Sequence, residues 1–261
     1  MNKSLTKPKD LASNAPQFST RLAVSAEDAR AAQALRYRVF VEELGADGPL
    51  VDHAERLERD RFDAHAEQLL LLDGARPEED QVVGVYRLID ETAARAVGQY
   101  YSADEFDLSR LNESGRRLLE LGRSCLHPDY RGGVGVLHLW QGLADIVRAR
   151  QIDILFGVAS FHGTELTKLA PSLSLLHRDH LAPEDIRVRA LDYQGMDFGP
   201  VESRVAAMKQ VPSLIKAYLR LGGFVGDGAY VDHAFNTIDV CLVLDLARMN
   251  PRQAALYGGV R

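Results

Sequence analysis

The chain has 261 residues, of which 46% are hydrophobic and 26% charged. These are the proportions of an ordinary globular protein and exclude a disordered or fibrous chain. With 37 Asp and Glu against 31 Lys and Arg, the net charge is −6, which disfavours a bulk electrostatic grip on nucleic acid. Two cysteines, Cys125 and Cys241, are too few for a disulfide scaffold or a Cys-built zinc site and fit a reducing compartment. No apolar run reaches eighteen residues, so the expected location is cytoplasmic, with any lipid met peripherally at the inner membrane surface.

Residues 1–17 are polar, lack the apolar core of a secretion signal and read as a flexible N-terminal tail. Alternation of Phe18, Thr20, Leu22 and Val24 predicts a first strand. Ser25 is placed as the N-cap of a helix reaching about Leu44, where Gly45 can close it. Asp47 to Arg59 is charged and turn-rich, and is expected as a surface loop or short helix. Strands follow at Gln68–Leu72 and Val82–Ile89, joined by a hairpin turn through Asp73-Gly74-Ala75-Arg76-Pro77. After a variable stretch, Leu118–Leu126 reads as the fourth strand. The glycines after Arg131 then lead into a helix whose Leu139, Trp140, Leu143 and Val147 share one face. Ile152–Ala159 reads as a strand buried on both faces. A helix, a strand near Ile186–Leu191, a helix near Ser213–Leu221 and a strand at Thr237–Leu244 complete the pass. Consecutive strands in the first half and alternation in the second predict an α/β fold, a mixed sheet flanked by helices on both faces, in one domain over 18–261.

The segment from Glu120 to Gly135 carries the most chemistry. Gly122 inside a strand marks a bulge, which would free a backbone N–H and turn Glu120 and Arg123 to one side. Gly132, Gly133 and Gly135 let the backbone approach an anion just before a helix N-terminus, making a plausible phosphate seat beside Leu126 and Arg131. This layout resembles the GCN5-related N-acyltransferase superfamily, in which the thioester's pantetheine arm lies along the fourth strand and its phosphate meets the loop. That superfamily's loop carries small residues where this chain has Val134 and Val136. The departure points away from coenzyme A pyrophosphate and toward a donor with one phosphate, the phosphopantetheine of acyl carrier protein.

Further runs occur in the order found in acyl-homoserine-lactone synthases: Leu35-Arg36-Tyr37-Arg38-Val39-Phe40, Asp60-Arg61-Phe62-Asp63, Val83 through Asp90, and Glu120-Leu121-Gly122-Arg123. That resemblance carries function onto Arg36, Phe40, Asp60, Asp63, Arg87, Glu120 and Arg123, although the Trp those enzymes place after the Phe is replaced here by Gly45-Ala46-Asp47. A resemblance over nearly the whole chain is to ornithine N-acyltransferases of ornithine-lipid synthesis. It rests on Glu120 to Cys125, Leu139-Trp140-Gln141-Gly142, Leu214 to Gly223, Gly226-Asp227-Gly228 and Phe235-Asn236-Thr237 with Asp239-Val240-Cys241. It implies transfer of a 3-hydroxyacyl chain from acyl carrier protein to the α-amine of ornithine, with the lyso-ornithine lipid released to the membrane. The chain is longer than the lactone synthases, and its ordered-looking segment beyond Pro212 is expected to be a C-terminal elaboration.

Amide formation from a thioester needs a neutral amine, a stabilised oxyanion and a leaving thiol. Glu120 is the expected base, direct or through water, and an N–H near Gly122 is expected to serve the oxyanion. Arg36, Arg87 or Arg123 would hold the amino acid's carboxylate, while Asp60 and Asp63 would hold its cationic side chain or order the substrate loop. Structural ion pairing is the alternative for each. An acidic carrier protein asks for a local basic face, expected from Arg116, Arg117, Arg131, Arg148 and Arg150. No bound cofactor and no metal are expected: His177 and His180 lack a third ligand, and the His180–Asp185 spacing matches chance. Cys125 reads as a small buried residue. A lactone synthase, an acyltransferase for another amino acid and a non-enzymatic thioester sensor remain as rivals.

Overall fold

Period-two burial along the strands decides which helix covers which face of the sheet. In the computed structural model, which describes residues 15–249, β1 (Phe18–Leu22), β2 (Glu67–Asp73) and β3 (Val82–Asp90) form an antiparallel meander. Leu70 and Val85 pack on one face with Ala32, Leu35 and Val39, from α1 (Ala26–Arg36) and the π-helical turns Tyr37–Glu43 that prolong it. Leu69, Leu71, Tyr86 and Leu88 pack on the other with Leu139, Trp140, Leu143 and Val147 of α4 (Gly135–Arg150). Ser25 caps α1 by accepting from the Asp28 N–H, as predicted. The variable stretch between β3 and the next long strand holds α2 (Glu91–Val97), β4 (Phe106–Asp107) and α3 (Ser109–Asn112).

β5 (Leu118–Leu126) has the predicted bounds and is followed, after α4, by β6 (Ile154–His162). Next come α5 (Leu166–His180), β7 (Arg189–Ala190), α6 (Arg204–Gln210) and α7 (Ser213–Arg220). The chain closes with β8 (Phe224–Val225), β9 (Tyr230–Asp232) and β10 (Thr237–Asp245). The main sheet has eight strands in the order β1-β2-β3-β5-β6-β10-β8, with β9 on β10. The strand expected near Ile186–Leu191 does not join it. Only Arg189–Ala190 is extended, and it pairs with β4 in a separate two-stranded sheet. Of the expected tail, 1–17, all but residues 15–17 lie outside the described residues. No described helix is long and apolar enough to cross a membrane.

The feature that positions the site is a parting of neighbours. β5 and β6 run parallel but pair only over Leu118–Glu120 against Ile154–Phe156. Beyond that point β5 stays with β3 and β6 stays with β10, so a wedge opens in the middle of the sheet. Gly157 sits at its apex: a Cβ there would lie 2.1 Å from the Leu121 carbonyl oxygen, so the two backbones meet this closely only without a side chain.

Candidate active site

A cavity of about 240 Å³ fills the wedge. Leu121, Gly122, Arg123 and Ser124 of β5 form one wall and Gly157, Val158, Ala159 and Ser160 of β6 the other. Phe40 and Leu44, carried by the π-helical turns and their end, cover it with Tyr101 and Phe235. Tyr86, Tyr218, Asp232 and Asp239 are also part of the lining. The predicted bulge is present, one residue further on. Val85 faces Cys125 and Arg87 faces Gly122, so Tyr86 alone opposes both Arg123 and Ser124. The left-handed residue of the irregularity is Arg123, at φ 49°. Gly122 is not crowded, since a Cβ there would find nothing nearer than the Arg87 guanidinium at 3.9 Å.

Arg123 belongs to a buried network of three guanidiniums and three carboxylates. Arg36, fully buried, donates from Nε to Glu58 at 2.5 Å and from Nη1 and Nη2 to Asp63 at 2.5 and 2.9 Å. Arg87, also fully buried, donates from Nη1 to both Asp60 oxygens at 2.7 Å. Arg123 links the halves, from Nε to Glu58 at 3.1 Å and from Nη2 to Asp60 at 2.9 Å. Its guanidinium lies 4.7 Å from the centre of the Tyr101 ring and 4.8 Å from that of Phe235. Burial alone would push these carboxyls up, but the guanidiniums outweigh it: Glu58 and Asp63 are held below their ordinary values, and Asp60 is lowered to about 2.

The network corrects one expectation. Residues 47–59 do form a loop, but Glu58 within it is 1% exposed and joins Arg36 to Arg123. Of the residues predicted to bind substrate, Phe40 and Arg123 line the cavity. Arg36, Arg87, Asp60 and Asp63 stand behind Arg123 and fix it.

Glu120 is 1% exposed and does not line the cavity. Its carboxylate accepts from the N–H of Tyr101 at 2.7 Å and of Ser102 at 2.6 Å, and from the Ser102 hydroxyl. Burial raises its pKa, and those hydrogen bonds offset only part of the shift. Glu120 thus clamps the turn that lays Tyr101 over Arg123, and no pair joins it to Arg123. Cys125 is buried and its thiol is pushed up to about 12 by desolvation, so it is no ready nucleophile.

The glycine-rich turn lies outside the cavity lining. Leu126 closes β5 against Gly84, and Gly132 takes a left-handed φ of 72°. Gly133 precedes Val134, which leads into α4 at Gly135 without a side-chain cap, so the helix N-terminus is bare. Arg131 donates from Nε to the Leu126 carbonyl at 3.2 Å and pairs bidentately with Glu43 at 2.6 and 2.7 Å. Three more of the arginines expected to form a basic face are paired: Arg116 with Asp245, Arg148 with Asp145 and Arg150 with Glu67. Arg117 bonds Gln151 and the Arg150 carbonyl instead.

A second group of acids was not foreseen. Glu105, Asp232 and Asp239 place carboxylate oxygens within 4.8 Å of one another, and Asp232 and Asp239 line the cavity. Asp239 carried a readable signal, a lone charge inside the apolar run of Thr237–Leu244, where an ionisable group is rarely buried without cause.

A mixed sheet parted at its parallel β5–β6 pair, with a cavity in the parting and a glycine turn feeding a bare helix end, is the architecture of an N-acyltransferase. The family model for the Acetyltransferase (GNAT) domain matches residues 35–141. FeeM, an N-acyl amino acid synthase from uncultured soil microbes, shares the fold at a TM-score of 0.53 and 13% identity, over 89% of this chain and 93% of that one. The AHL synthase LasI does so at 0.52 and 19%, over 95% and 98%. The chain belongs to the L-ornithine N(alpha)-acyltransferase family. It is 54% identical over 244 residues to the Rhodobacter capsulatus member, covering 92% of this chain and 94% of the relative. Identity to the Brucella abortus member is 46% over 250 residues, covering 92% and 89%.

Proposed function

We propose that this chain transfers a 3-hydroxyacyl group from the phosphopantetheine thioester of acyl carrier protein to the α-amine of L-ornithine, giving a lyso-ornithine lipid. The observation that carries the reading is the wedge cavity, which offers an apolar wall, one positioned guanidinium and unneutralised acid together. In this reading the thioester arm runs along β5 from the Leu126–Gly135 turn, where the α4 N-terminus and the Gly132 and Gly133 backbone suit a single phosphate. The Arg131 charge is already shared with Glu43, so Arg131 orders the turn as much as it attracts the donor. The thioester carbonyl lies at the bulge from Gly122 to Ser124, whose backbone is the candidate oxyanion donor.

Arg123 takes the amino acid's carboxylate, because among the three arginines of the network it alone reaches the cavity. Attack of the neutral α-amine forms the amide bond as the C–S bond breaks, and the amine's proton balances the departing thiolate. Glu120 acts on this step through the Tyr101–Ser102 turn: a general base must reach the proton it removes, and its oxygens are enclosed by that turn. The names of the relatives at 41–54% identity support ornithine as the acceptor.

The test is to supply 3-hydroxyacyl carrier protein with ornithine or with S-adenosylmethionine and identify the products by mass spectrometry. Mono-acylated ornithine is expected. A lactone product, or equal turnover with acyl-coenzyme A, would overturn the acceptor or the donor respectively.

A further inference from the structure

The carboxylates of Glu105, Asp232 and Asp239 converge from the β4 approach, the end of β9 and the start of β10. Among the described residues none of the three is in a salt bridge, although every carboxylate of the neighbouring network is. Asp239 is 2% exposed, faces the cavity, and has no hydrogen-bond partner at Oδ1. Glu105 is 4% exposed and likewise has an unpartnered Oε2. Buried carboxylates without a counter-charge are costly, and a cation arriving from the cavity would relieve that cost. Burial and mutual repulsion push the Glu105 and Asp239 carboxyls upward, as expected of acids left without a cation. The nearest guanidinium, Arg123, is already engaged by Glu58 and Asp60.

We infer that Asp239, with Asp232 beside it and Glu105 behind, is the seat of the acceptor's side-chain ammonium and sets the enzyme's preference for a diamino acid. The inference rests on the proposed function and deepens it. Its geometry follows the strands. Asp239 pairs with Ser160, three residues along β6 from Gly157 at the wedge apex, or about 10 Å at strand rise. The two nitrogens of extended ornithine are five bonds of roughly 1.5 Å apart, or about 6 Å. The spans differ by about 4 Å, so with the carboxylate on Arg123 the α-amine sits out from the apex, and from there the δ-ammonium extends toward Asp239. The charges also match: the six-membered network is neutral by itself, so the triad supplies the excess negative charge that a net cationic amino acid requires.

Calorimetric binding of ornithine and of norvaline, which lacks only the δ-amine, tests this in the full-length protein and in Asp239→Asn. Wild type is expected to bind ornithine at least tenfold more tightly than norvaline. Asp239→Asn should lose at least tenfold for ornithine and stay within twofold for norvaline, abolishing the preference. Asp232→Asn retains an acceptor for the Ala234 and Phe235 N–H groups that Asp232 holds, and should shift the preference the same way should Asp239→Asn fail to fold. Equal losses for both ligands, or no preference in wild type, would overturn the inference; equal losses would instead place the α-amine at the triad. Tight calcium or magnesium binding that competes with ornithine and disappears in Asp239→Asn would also overturn it, in favour of a metal. The two proposals fail separately. A protein that prefers ornithine through Asp239 but acylates another amine keeps the seat and loses the function, whereas one that acylates ornithine and norvaline alike keeps the function and loses the seat.

Discussion

Arg36→Met removes one guanidinium from the buried network and leaves two against three carboxylates. Arg36 has no solvent exposure and its partners Glu58 and Asp63 are nearly as buried, so water cannot replace it. Leaving one partner of a buried pair uncompensated costs about 3–5 kcal/mol. An independent route gives the same size: neutralising a carboxyl of ordinary pKa near 4 at pH 7 spans about three units, or about 4 kcal/mol. That is a large fraction of the roughly 5–15 kcal/mol that stabilises a typical domain, and corresponds to a melting point lower by roughly 10 °C. The sign with pH follows. The orphaned carboxyl has a raised folded-state pKa, so the variant binds a proton that the unfolded chain does not, and its deficit shrinks as pH falls. Between pH 7 and pH 5 the shrinkage is about 3 kcal/mol. Urea titrations at both pH values, on wild type, Arg36→Met and Arg36→Met/Asp63→Asn, measure it. The double variant should be the more stable of the two. A deficit below about 1 kcal/mol, the same deficit at both pH values, or a double variant no better than the single would refute the reasoning.

Gly157→Ala should destabilise by about 2–3 kcal/mol in the same denaturation assay, because its Cβ would overlap the Leu121 carbonyl oxygen at 2.1 Å. Gly122→Ala, with no contact nearer than 3.9 Å, should change stability by less than about 1 kcal/mol; equal effects would show that the wedge apex is not where the backbones are forced together. Cys125 and Cys241 are both buried with thiols pushed well up by desolvation. Neither should react with a disulfide reagent at pH 8 before the chain unfolds, and rapid labelling of the native protein would contradict their placement.

Local signals carried far in this chain. β5 was legible to the residue because Leu118 to Leu126 is apolar apart from Glu120 and the Gly122-Arg123-Ser124 run, and α4 because its apolar residues recur at helical spacing. α2 was legible but unread: Asp90 caps it through the Ala93 N–H and Gly98 ends it at φ 100°, the ordinary punctuation of a helix. Residues 186–190 do alternate, with Ile186, Val188 and Ala190 buried, but a period of two does not reveal a partner, and the partner is two residues of β4. Glu58 shows the firmer limit. Most residues around it from Asp52 to Asp63 are charged, and the partners of its buried carboxylate, Arg36 and Arg123, lie 22 and 65 residues away. The Glu105–Asp232–Asp239 group is non-local in the same sense, assembled only when β9 and β10 fold back beside β6.

The ion network makes more sense as a means of orientation than of stability. A buried ion set contributes little net stability even when paired, since hydrocarbon of similar volume often does as well or better, and here Nε and Nη2 of Arg87 are buried without a hydrogen-bond partner. Six ionised side chains around one turn therefore call for another explanation, and the asymmetry among the arginines supplies it. Arg36 and Arg87 are sealed in, Arg87 under the Phe62 and Tyr101 rings, whereas Arg123 lines the cavity between two rings from a left-handed backbone position. Glu58 and Asp60, which hold Arg123, are themselves each held by one of the sealed arginines. A lone surface arginine would lose rotamer entropy on meeting a carboxylate; one braced on two fixed anions has already lost it in the folded chain. The set is thus nearly neutral for stability when whole and costly when broken, so its retention is explained by where it places a single guanidinium.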